Sequence, residues 1–98
     1  MGSPRPRPER LARKLRDIRL GLGFSQTEML RNLEMEERLY YGRISEYELG
    51  KSEPPLAVLL QYARAAGVCM DTLIDDEMDL PAKLPAKPEH RAVNRKRR

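Results

Sequence analysis

Few residues in this chain have the types and spacing that covalent or metal chemistry requires. There is one cysteine, Cys69, and one histidine, His90, well apart in the sequence. A metal centre needs several convergent ligands, and an activated nucleophile needs a base beside it, so neither assembles from this set. Gly21-Leu22-Gly23 follows an apolar helical stripe and not a strand, so it is expected to stop a helix and not to cradle a phosphate. Carboxylates are plentiful but fall on polar faces. No enzymatic activity, cofactor or metal is therefore expected. What the sequence does carry is polar and basic recognition chemistry. Ser25 and Glu28 have the spacing of a capping box. The arginines carry planar forks that match phosphate oxygens and guanine edges. The run Arg95-Lys96-Arg97-Arg98 is either a solvated tail, an auxiliary phosphate binder or a localisation signal.

The charge is unevenly distributed. The 98 residues sum to +4, but residues 1–8 carry +2, residues 9–80 carry −4 and residues 81–98 carry +6. Basic ends attract polyanions at long range, whereas an acidic middle can bind one only through a local basic face. The ends are also rich in proline: Pro4, Pro6 and Pro8 alternate with arginine, and Pro81, Pro85 and Pro88 follow Leu80. Three segments are expected: a Pro/Arg-rich arm over 1–8, one folded domain over 9–79, and a Pro-rich basic tail over 80–98. Both ends are expected to be mobile, with Leu80 and Leu84 able to dock locally. No apolar run approaches the ~20 residues of a membrane span. The start of the chain lacks the apolar stretch of a signal peptide, and the lone cysteine suits a reducing compartment, so a cytoplasmic location is expected.

The middle has helical periodicity throughout, so the expected fold class is all-α. Leu11, Leu15, Ile18 and Leu22 form one stripe, with Arg13, Lys14, Arg16, Asp17 and Arg19 on a solvated face. Gly21 and Gly23 are expected to end this helix. Ser25 opens the second, with Phe24 packing back as a staple and Met29, Leu30 and Leu33 buried. An acidic stretch, Glu34-Met35-Glu36-Glu37, precedes a third helix in which Ile44 and Tyr47 face inward and Gly50 is the stop. Either Tyr40 or Tyr41 is expected to pack against Phe24 or Leu33. Pro54-Pro55 opens a fourth helix with the stripe Leu56, Leu59, Leu60 and Ala63, closed by Gly67. A short fifth helix spans 70–76, with Leu73 and Ile74 inward and Cys69, a small half-buried side chain, at its start.

Five short helices, the second opening Ser-Gln, resemble the lambda-repressor-like DNA-binding domain of Cro/C1-type (Xre-type) helix-turn-helix regulators. The resemblance rests on Leu15-Arg16-Asp17-Ile18-Arg19, on Phe24-Ser25-Gln26-Thr27-Glu28-Met29-Leu30, on Ile44-Ser45-Glu46-Tyr47-Glu48-Leu49-Gly50-Lys51 with Glu53-Pro54, and on Ala63-Arg64-Ala65-Ala66-Gly67-Val68 with Leu73-Ile74. It implies a compact five-helix domain binding double-stranded DNA, with the third helix in the major groove. It further implies that this helix begins near Tyr40 and presents Tyr41, Gly42, Arg43 and Glu46. Arg43 would bond a guanine, Glu46 would accept from a cytosine N4, and Gln26 and Lys51 would contact the backbone. Arg19 is implied to pair with Glu48.

Two features depart from the family and bear on the docking angle. The stretch from Ser25 to Ile44 is about four residues longer than the family's helix-turn-helix spacing. Leu30 stands where the family has a small residue. A reader of this size covers one half-site, so a homodimer is the expected working form, joined around residues 73–80 or only on DNA. The alternative is an antitoxin-like or adaptor module with a protein partner, favoured by the acidic insertion and by Asp75-Asp76-Glu77-Met78-Asp79.

Overall fold

The computed structural model describes residues 7–35, 39–40 and 42–85. Most of the Pro/Arg arm, Glu36, Glu37, Tyr41, His90 and the run 95–98 lie outside these residues. The described chain is all-helical: α1 Leu11–Leu22, α2 Gln26–Asn32, α3 Gly42–Glu48, α4 Leu56–Ala66 and α5 Met70–Ile74. No strand occurs among the described residues. No helix among them is long and apolar enough to cross a membrane.

α1 is the hub, packing on α3, α4 and α5, while α2 rests on α3. Leu15, Ile18, Met29, Leu33, Ile44, Tyr62 and Leu73 are the largest fully buried side chains. α1 ends at Gly23, whose φ of 77° lies in the left-handed region that a Cβ disfavours. Gly21 does not stop the helix as expected; it lies inside α1. A Cβ there would stand 3.1 Å from Leu84 Cδ1, so the missing side chain is what lets Leu84 lie on α1. Leu80 and Leu84 dock on the core as expected.

α2 opens with the expected capping box. Ser25 Oγ accepts from the Glu28 N–H at 3.1 Å, and the Ser25 N–H donates to Glu28 Oε1 at 2.8 Å. Its end carries no glycine. Glu34 takes the left-handed position instead, with φ 60°, and the Met35 N–H reaches back to the Leu30 carbonyl at 3.3 Å.

Several expectations are corrected. Lys14 belongs to no solvated face: it is 3% exposed, and its ammonium donates to the carbonyls of Thr72 and Asp75 at 2.8 and 2.9 Å. A buried cation is tolerated there because it meets the unpaired carbonyls and negative dipole end of α5; burial still pushes its pKa down. In α4 the buried face comprises Val58, Leu59, Tyr62, Ala63, Ala65 and Ala66, and Leu56 is 74% exposed. Leu60 is only half-buried. The face is turned about a quarter of a revolution from the leucine stripe, because α4 is sandwiched by both α1 and α5 and its alanines admit them closely. α5 stops at Ile74, and with Leu73 inward Ile74 turns outward. Cys69 holds the N-cap position but is exposed and makes no side-chain capping bond.

Candidate nucleic-acid interface

α3 is held to the body by one side. Ile44 and Tyr47, three residues apart, are both buried. This leaves Arg43 in the first turn and Glu46 one turn further on partly exposed, and Lys51 exposed just past the end. The helix starts at Gly42 and not near Tyr40: the Arg43 N–H donates to the Tyr40 carbonyl at 3.0 Å, so Tyr40 stands at the entry as a turn residue. Gly50, with φ 75°, turns the chain away, and the Lys51 N–H closes back on the Glu46 carbonyl at 2.9 Å.

Three of the outward groups are tied together. The Tyr40 hydroxyl donates to Glu46 Oε2 at 2.6 Å, and Arg43 Nη1 donates to Glu46 Oε1 at 2.8 Å. The Arg43 guanidinium carbon lies 5.2 Å from the Tyr40 ring centroid, within cation–π range. The Tyr40 bond first, and then Arg43, hold the Glu46 carboxyl below its ordinary range; the same bond raises the Tyr40 phenol. Tyr40 is thus exposed and does not pack against Phe24 or Leu33. Gly42 lies directly beneath its ring, where a Cβ would fall 2.4 Å from Tyr40 Cε2. Tyr41 lies outside the described residues.

Behind this face, α1, α2 and α3 are joined by a polar knot. Arg19 Nε and Nη2 donate to the two oxygens of Glu48 at 2.7 and 3.1 Å, as the resemblance implied, and Arg19 Nη1 donates to the Phe24 carbonyl at 2.9 Å. The two side chains are 13% and 4% exposed. The Glu48 bond raises the pKa of Arg19. Gln26, named as a backbone contact, donates its amide to Glu48 Oε1 at 3.2 Å and so belongs to this knot. Tyr62, absent from the expected α4 stripe, is fully buried near it, and its hydroxyl has no hydrogen-bond partner among the described residues. Burial pushes its pKa up. Spacing from Leu59 and Ala66 would have found this tyrosine, had the leucines not suggested a different face.

The arrangement therefore presents Arg43 and Glu46 on a short helix seated by Ile44 and Tyr47, with Tyr40 at its entry and Lys51 just past its end. Among the described residues no group of three or more His, Cys, Asp or Glu side chains is placed to hold a metal ion. Comparisons with protein-family models, curated proteins and solved structures give no match for this chain.

Proposed function

We propose that this protein is a sequence-specific double-stranded DNA-binding transcriptional regulator, with α3 as the element that enters the major groove, and that it is not an enzyme. The seating of α3 carries this reading: Ile44 and Tyr47 bury its inner side, so Arg43 in the first turn and Lys51 beyond the end both stand outside. The pairing of α2 with α3, the capping box at Ser25 and the Arg19–Glu48 bridge are the arrangement a helix-turn-helix reader needs, and the lambda-repressor-like resemblance supports it. In this reading Arg43 meets a base edge, with Tyr41, Gly42 and Glu46 beside it. Lys51 and the basic run 95–98 meet phosphates, and Gln26 holds the helix pair from behind. A dimer on a two-fold site is the working form.

Binding titrations over a salt series test this. Lys51→Ala, and removal of residues 95–98, are expected to weaken binding to every duplex. The slope of log affinity on log salt falls by about 0.9 for each phosphate that the variant no longer neutralises. Arg43→Ala is expected to relax preference at one base pair by about 1–3 kcal/mol. Absence of any effect from all three would contradict the proposal.

One observation favours a second reading, a module whose main partner is a protein. Leu56 and Ile74 are both exposed along one groove with Pro8, Glu53, Pro54 and Pro55. The same titrations separate the two, since a protein-binding module gives only the non-specific affinity of its basic ends, with no preference among duplexes for Arg43→Ala to relax.

A further inference from the structure

The cluster of Tyr40, Arg43 and Glu46 carries an inference that rests on the DNA-binding reading and goes beyond it. A carboxylate on a DNA-facing helix is repelled by phosphate, so its place there needs a reason. Its two oxygens supply one. Glu46 accepts from the Tyr40 hydroxyl on one side at 2.6 Å and from Arg43 on the other at 2.8 Å. The guanidinium also lies over the Tyr40 ring at 5.2 Å. An arginine has five N–H donors, and this bond uses one of them. The guanidinium is therefore held in position from one edge and one face while its other donors remain available to a ligand. Holding a long side chain in place before binding removes an ordering cost that an unrestrained arginine meets on contact. The carboxylate enters the groove with its charge balanced by Arg43 and with its two oxygens engaged. Gly42 completes the device, since any side chain there would meet the Tyr40 ring.

We propose that Tyr40 and Glu46 are positioning residues for Arg43, so that the three side chains, with Gly42 beneath the Tyr40 ring, act as one unit selecting a guanine in duplex DNA. Tyr40 orients Glu46; Glu46 and the Tyr40 ring orient the guanidinium. Glu46 acts through Arg43 and reads no base of its own.

The test titrates the full chain, Tyr40→Phe, Glu46→Gln, Gly42→Ala and Arg43→Ala on a duplex selected by the wild type. The same proteins are titrated on duplexes in which each guanine is replaced in turn, and thermal melts confirm that each variant is folded. Tyr40→Phe removes one hydrogen bond and keeps the ring. It is expected to lower discrimination about three- to tenfold, at the same base pair that Arg43→Ala affects, without changing the salt slope. Glu46→Gln and Gly42→Ala are expected to act at that base pair too. In an Arg43→Ala background, Tyr40→Phe is expected to do nothing further, which a merely structural role for Tyr40 would not give. Wild-type discrimination in Tyr40→Phe would overturn the proposal and leave DNA binding standing. So would a Glu46→Gln protein that binds every duplex more tightly with discrimination intact, because Glu46 would then be a competitor for Arg43. Failure of the wild type to bind any duplex would overturn the DNA-binding reading itself, and this proposal with it.

Discussion

At the scale of single residues, the informative side chains are polar groups inside the fold. Arg19 and Glu48 form a two-pronged, largely buried pair. Glu48→Ala would strand the Arg19 charge and is expected to cost about 3–5 kcal/mol, read by chemical denaturation. Tyr62 is the opposite case. Its ring fills the core while its hydroxyl is buried with no partner among the described residues. Tyr62→Phe keeps the ring and removes that hydroxyl, so it is expected to leave stability unchanged or raise it by up to about 1–3 kcal/mol in the same measurement. A clear loss would mean that the hydroxyl is satisfied in solution. Arg19–Glu48 could be anticipated, because the lambda-repressor-like resemblance implied that pair. Tyr62 was masked: its spacing from Leu59 and Ala66 marks the buried face, but Leu56, Leu59, Leu60 and Ala63 suggested a different one.

At the scale of elements, the ends of α1 and α5 are clamped together across the chain. Asp76 accepts from the Glu9 and Arg10 N–H groups at 2.9 and 3.0 Å, capping the start of α1 from 66–67 residues away. Arg10 in turn donates to the Asp76 carbonyl at 2.5 Å and pairs with Asp79. Lys14, one turn on, closes the end of α5. The backbone bonds from Glu9 and Arg10 hold Asp76 below its ordinary range, and the Arg10 bond does the same to Asp79. Because both values are lowered by folding, the unfolded chain takes up protons first on acidification. The clamp's contribution is complete above the ordinary carboxylate range and is lost as pH falls through the lowered values. Asp76→Ala should therefore lower Tm at pH 6 and narrow the gap between Tm at pH 6 and Tm near pH 2.5; an unchanged gap would assign the acid sensitivity elsewhere. Helix starts and stops marked by local chemistry were legible beforehand: the Ser25–Glu28 box, and Gly23, Gly50 and Gly67. Features set by distant partners were not. Lys14 looked solvated because Thr72 and Asp75 are far along the chain, and α4 turned Leu56 and Leu60 aside because two helices flank it. Glu34 closes α2 in a left-handed conformation usual for glycine, which its side chain does not advertise.

At the scale of the whole molecule, charge and architecture pull against each other. Residues 9–80 carry −4 while the ends are basic, so the body has no general attraction for a polyanion. Under the proposed DNA-binding reading, contact is therefore local, at Arg43 and Lys51, with the basic ends adding non-specific affinity. The five helices and their order were legible because each apolar stripe repeats with the helical period. The candidate interface was legible only as positions. That Tyr40, Arg43 and Glu46 grip one another depends on where α3 begins, two residues later than the resemblance implied. The most direct test of the central claim is selection of bound sequences from random duplexes by the full chain. The account predicts enrichment of a defined motif containing a guanine whose replacement weakens the wild type but not Arg43→Ala. A bound pool no different from the input at low salt would contradict it.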